Sequence, residues 1–216
     1  MAIPVYCMPG MAASPRIFQH LKWPEPYEVH LLDWDEPHSQ ESFKEYAARI
    51  AKQITAPNPI LIGVSLGGVL VQQIATLLPE YRCVVLISSI KSAEELPYWM
   101  QCCKRLKLHH LLPLKWIASF EFWKHTKRYK KLYYKYIGLA SPNYLSWSVR
   151  ELLDWQFPVL PPEKLIHIQG DKDIVFPIKN IKDCICIHKG THIMIINHFR
   201  WFNEHLIPLI EQFSDS

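Results

Sequence analysis

Glycine is scarce in this chain, with seven residues in 216, about half the usual share of ~7%. That excludes collagen-like and glycine-rich disordered chains, and it makes the place of each glycine informative. The six cysteines (Cys7, Cys83, Cys102, Cys103, Cys184 and Cys186) include no CxxC pair and no His spacing of a zinc site, so neither a metal nor any other cofactor is expected. Several of them fall in strand-like apolar runs, where a thiol acts as a small hydrophobe. No stretch reaches the ~18 apolar residues of a transmembrane helix. The opening Ala2-Ile3-Pro4-Val5-Tyr6 lacks the charged start and long apolar run of a signal peptide, so a cytoplasmic, reduced protein is expected. A strong net charge is missing too: the balance is +4, and with no nucleic-acid-binding motif present, no nucleic-acid partner is expected.

What is present is a globular composition, 49% hydrophobic and 20% charged, in a length that suits a single domain over residues 1–216. The charge is uneven. From Met100 to Lys135 ten Lys and Arg stand against one acid, Glu121, which reads more simply as a solvated helix face than as an anion-binding or membrane-facing surface.

Short apolar runs recur at Ile3 to Met8, Glu28 to Leu32, Pro59 to Val64, Cys83 to Ser88, Leu165 to Gln169 and Cys184 to His188. Their length and nearly continuous apolar character suit parallel strands covered on both faces. Helix patterns lie between them, over Ser42 to Ile54 and over Leu66 to Leu78 with Pro79 just past the end. Alternation of this kind predicts an α/β fold with a mostly parallel sheet of about six strands. It breaks between Ser89 and Phe157, where aromatics and lysines replace strand patterns and Ser141-Pro142 reads as the N-cap and first residue of a helix. Residues 93–155 are therefore expected to form a helical insertion.

Gly63-Val64-Ser65-Leu66-Gly67 follows one strand run and opens a helix pattern. That is GxSxG in the strand, turn, helix context the motif requires, with the flanking residues small because the turn is tight and Ser65 left projecting above the sheet. A serine needs a base oriented by an acid before it can attack. Two aspartates, Asp171 and Asp173, lie just past the fifth strand run, and His192 lies past the sixth with Gly190 before it. Loops after parallel strands gather at one sheet edge.

With GVSLGG at the turn, GDKDIVFP in the acid loop and KGTHIMI in the histidine loop, the chain resembles a small member of the α/β-hydrolase superfamily. The likeness covers about residues 2 to 89 and 158 to 210. The segment SPNYLSWSVRELLDW is similar to that of compact bacterial hydrolases of unassigned substrate. The resemblance implies a three-layer fold with a helical cap, and a triad of Ser65 as nucleophile, His192 as base and then acid, and Asp173, four residues before Pro177, as the group that orients the imidazole. It also implies an oxyanion hole from the backbone amides of Leu66 and of Met11, in the loop Met8-Pro9-Gly10-Met11, where the family often has His-Gly-X. The two N-terminal strands of larger members are missing from the pattern, and the last crossover is short. The partner so implied is a small-molecule acyl substrate, cleaved as an ester through an acyl-enzyme. A lyase or acyltransferase using the same site, and a non-catalytic ligand-binding protein, are the alternatives. Aromatics of the insertion (Trp99, Trp116, Phe120, Phe122, Trp123, Tyr129, Tyr133, Tyr134 and Tyr136) either line an acyl pocket or form the insertion's own core.

Overall fold

The computed structural model describes residues 2–106 and 134–214. Six strands form one sheet: β1 (Ile3–Met8), β2 (Tyr27–Leu31), β3 (Ile60–Val64), β4 (Cys83–Ile87), β5 (Leu165–Gly170) and β6 (Ile185–Ile187), in the order β2-β1-β3-β4-β5-β6. Every neighbouring pair is parallel. The helices are α1 (Phe43–Ala51), α2 (Leu66–Ala75), α3 (Tyr98–Arg105), α4 (Pro142–Asp154), α5 (Met194–Asn197) and α6 (Phe199–Ser214). Among the described residues no helix is long and apolar enough to cross a membrane.

The central strands are apolar throughout because both their faces are covered. All five residues of β3 and all five of β4 are buried. Alternate residues serve opposite layers. Tyr6, Met8, Leu61, Val84 and Leu86 pack in one cluster with residues of α1, α2 and α4, while Val5, Cys7, Ile60, Ile62, Val85 and Ile87 pack in another with Phe202, Leu206 and Ile210 of α6. Burying a whole aliphatic side chain is worth about 1.5–3 kcal/mol, so these two faces carry most of the fold.

Helix ends follow local chemistry. Ser42 opens α1 with a capping box, its hydroxyl accepting from the Glu45 N–H while the Glu45 carboxylate accepts from the Ser42 N–H. Ser141 caps α4 by accepting from the Tyr144 N–H at 3.0 Å, with Pro142 in the first turn. Between β5 and β6 there is only a 3-10 turn, Ile178–Asn180, so the last crossover is as short as the sequence pattern implies.

The chain between β4 and β5 contributes α3 and α4. Residues 107–133, with Trp116, Phe120, Phe122, Trp123, Tyr129, Tyr133 and most of the basic run, lie outside the described residues. One finding differs from a self-contained insertion: α4 is built into the main core. Trp147 stands 4.7 Å from Tyr46 and 5.9 Å from Phe43 of α1, ring centre to ring centre, and its indole N–H donates to the Glu41 carbonyl at 2.6 Å. Farther back, Tyr136 is buried and Ile137 forms an antiparallel bridge with Ala13, in the loop after β1.

Because β1 lies between β2 and β3, the order of strands reverses there, and open parallel sheets form a crevice at such a point beyond the C-terminal strand ends. The loops after β1, β3, β5 and β6 all leave from that edge.

Candidate active site

Ser65 lies between β3 and α2 with φ 53° and ψ −121°, a left-handed backbone that costs an L-residue roughly 1–3 kcal/mol. Several contacts hold it there. Its N–H donates to the Ile87 carbonyl at 2.9 Å, and its own carbonyl accepts from the Gly68 N–H at 2.9 Å and from the Ser89 hydroxyl at 2.7 Å. A Cβ on Gly63 would lie 2.4 Å from the Gly67 carbonyl oxygen, so this side of the turn is closed by mutual crowding. Gly67 is required for another reason: its Cβ would lie 2.3 Å from the Pro9 carbonyl oxygen, in the loop after β1.

No glycine in the chain has a positive φ. Each glycine lies instead where an added Cβ would crowd another part of the chain. Among the described residues the left-handed positions fall to Ala12, Gln40, Asn58, Ser65, Ser88, Asp183 and Lys189.

Asp173, His192 and Ser65 form one hydrogen-bonded line. The His192 Nδ1–H donates to Asp173 Oδ2 at 2.9 Å, which leaves Nε2 to accept from the Ser65 hydroxyl at 3.0 Å. Phe176 packs edge-on against the imidazole at 5.6 Å. The Asp173 side chain is fully buried, and a buried carboxylate must be richly solvated by donors. Here the Val175 and Phe176 amides donate to Oδ1 at 2.8 and 2.9 Å, and the Gln169 side-chain amide donates to Oδ2 at 2.9 Å. Asp171 faces elsewhere: it accepts from His188 Nδ1 at 2.9 Å and the Lys189 amide at 2.8 Å, and the His188 side chain is 78% exposed. The acid and histidine loops can meet because Gly170 touches Gly190, where an added Cβ would fall 2.2 Å from the Gly190 carbonyl oxygen.

Leu66 is the first residue of α2, where amides lack intrahelical acceptors and the helix end carries partial positive charge. Met11 follows Gly10, whose Cβ would lie 3.3 Å from Ser65 Cβ. Among the described residues, neither the Met11 nor the Leu66 amide donates to a protein acceptor. Leu66 directly follows Ser65, and Met11 directly follows the glycine that packs against it.

Sequence reasoning missed Ser89 and Gln169. Each is buried; Ser89 braces the site through its hydroxyl on the Ser65 carbonyl, Gln169 through a side-chain amide that donates to Asp173 Oδ2 and to the Phe176 carbonyl, and neither sits in a motif. Behind Ser89 lies a further buried group. His167 on β5 donates from Nε2 to the Ser89 carbonyl at 3.1 Å and accepts at Nδ1 from Lys91 Nζ at 3.2 Å, while Lys91 pairs with Glu95 at 2.8 Å. Burial, aided by the Lys91 cation, pushes the His167 imidazole down to about 4, in keeping with a neutral ring that donates on one side and accepts on the other.

No protein-family model and no curated protein sequence matches the chain. Solved structures do. An esterase from Thermogutta terrifontis is 13% identical, with a TM-score of 0.64 over 99% of this chain and 91% of that one. A bromoperoxidase from Bacillus anthracis is 17% identical, with a TM-score of 0.65 over 98% and 92%. A carboxylesterase from the thaumarchaeon Nitrososphaera gargenis is 13% identical, with a TM-score of 0.68 over 99% and 92%. The chain has the α/β-hydrolase fold.

Proposed function

We propose that the chain is a serine hydrolase that cleaves a small carboxylic ester or related acyl compound through an acyl-enzyme. The observation that carries this reading is the unbroken line from Ser65 through His192 to a fully buried Asp173. The Ser65 oxygen attacks the acyl carbon as its proton passes to His192 Nε2, and the imidazolium so formed is stabilised by Asp173. The amides of Leu66 and Met11 hold the oxyanion, an arrangement in which each donor is worth roughly 10²–10³ in rate. Collapse breaks the bond to the leaving oxygen, which takes the proton from Nε2. Water then attacks the acyl-serine, gives its proton to Nε2, and a second collapse releases the acid and returns the proton to Ser65.

The names of two neighbours, an esterase and a carboxylesterase, support ester chemistry. We also propose that within residues 93–155 the part ahead of α4 acts as a cap over the site, selecting the acyl group, while α4 belongs to the core packed on α1, and that the protein works in the cytoplasm, where its six free thiols stay reduced. A fluorophosphonate probe tests the central step. Wild-type protein should label and Ser65→Ala should not, and short p-nitrophenyl esters should be hydrolysed only by the protein that labels. A folded wild type that takes no label overturns the proposal.

A further inference from the structure

Trp34 follows β2, near the sheet edge, yet its side chain reaches the loop after β1. The indole N–H is shared between the carbonyl oxygens of Pro9 and Gly10, 3.0 Å from each. The ring is 4% exposed and packs against Tyr46 at 5.7 Å and Tyr144 at 5.5 Å between centroids. The next residue is tied down as well, because the Tyr46 hydroxyl accepts from the Asp35 N–H at 2.9 Å and donates to the Asp35 carbonyl at 3.1 Å. An indole walled in this way can aim its N–H in only one direction.

Its two acceptors belong to consecutive peptide planes. The Gly10 carbonyl and the Met11 N–H are opposite ends of one planar trans peptide, so holding the oxygen on the Trp34 side sends the N–H to the other. The same oxygen accepts from the Ala13 N–H at 3.1 Å. Gly10 stands against the nucleophile, an added Cβ falling 4.0 Å from Ser65 Oγ. We propose that Trp34 is a positioning residue for catalysis: its N–H fixes the peptide plane that presents the Met11 amide to the oxyanion. This rests on the serine-hydrolase reading, and it adds a side chain from a different loop that touches neither substrate nor triad.

Trp147 supplies a matched control. It too is 4% exposed and donates its indole N–H to a backbone carbonyl, that of Glu41, in the same aromatic cluster but away from the loop after β1. Trp34→Phe and Trp147→Phe each remove one buried indole N–H and keep a ring. Both should lower the melting temperature, but only Trp34→Phe should slow fluorophosphonate labelling, by roughly 10- to 100-fold, with kcat for a p-nitrophenyl ester falling by a similar factor while KM stays within about threefold. Should Trp34→Phe not fold, 3-benzothienylalanine at position 34 replaces the N–H by sulfur with little change of shape, and the same loss is expected. Labelling and kcat at wild-type values in a folded position-34 variant would overturn the proposal while leaving the hydrolase reading intact. A wild type that does not label overturns both.

Discussion

Two aspartates two positions apart in one loop have different partners, and the difference fixes what each can do. Asp173 is enclosed by four donors, whereas Asp171 pairs with His188 at the surface. Asp173→Asn should lower kcat by about 10⁴, because the amide cannot hold His192 in the tautomer that accepts from Ser65. Asp171→Asn should stay within about threefold of wild type, since an exposed pair contributes ~0–1 kcal/mol. Steady-state kinetics on both variants checks the pair, and equal activities would contradict the assignment. Ser65, Asp173 and His192, which the structure brings into one hydrogen-bonded line, were legible because each sits in a loop with a short local signature. Ser89, Gln169 and Trp34 were not. Their hydrogen bonds reach backbone or side-chain atoms brought close only by the fold, and nothing in the flanking residues marks them.

At the scale of elements, the period and composition of the strands were enough to place all six, with ends shifted by a residue or so. For the central strands the physical reason is continuous burial, since a strand covered on both faces, as β3 and β4 are, has no polar position to blur its pattern; β2 and β6, expected to be covered on both faces too, are partly exposed. Helix starts were legible where a cap residue is present. Ser42→Ala removes the α1 capping box and should cost about 1 kcal/mol in chemical denaturation, with no effect on labelling of Ser65. Where α4 packs could not be read from its own residues, because an apolar helix face does not state its partner. Gly67→Ala should be far more damaging than a helix-propensity scale allows. Alanine is normally the better helix former, but here the methyl would meet the Pro9 carbonyl at 2.3 Å, so the loop after β1 must move, and both stability and labelling rate should fall.

For the molecule as a whole, His167 makes stability depend on pH in a definite direction. Its imidazole is held at about 4 in the folded protein, against ~6.5 when unfolded. Above pH ~6.5 neither state carries the proton. As pH falls below that value the unfolded chain takes up a proton the folded chain refuses, so stability drops, and the loss is complete once pH passes below the folded value. The total is about 3 kcal/mol. Denaturation midpoints measured between pH 7 and 4 should show this slope, and His167→Gln, which can still donate to the Ser89 carbonyl and accept from Lys91, should flatten it. Thiol accessibility gives a second global readout. Cys7 and Cys83 are buried, and burial pushes the Cys83 thiol up to about 12 and Cys7 higher still, while Cys186 is exposed. Mass spectrometry after brief alkylation should find Cys186 modified in native protein and Cys7 and Cys83 modified only after unfolding.

The strand order also sets how this protein must be made. The first four strands in the chain, β1 to β4, are contiguous in space as β2-β1-β3-β4, so most of the sheet can assemble as soon as Ile87 has left the ribosome. β5 begins only at Leu165. Throughout the synthesis of the intervening residues, β4 is an open edge of five apolar residues, a template on which another nascent chain could pair. The interval in which the growing chain is most prone to aggregate is therefore the one in which it is making the segment that separates Ser65 from Asp173.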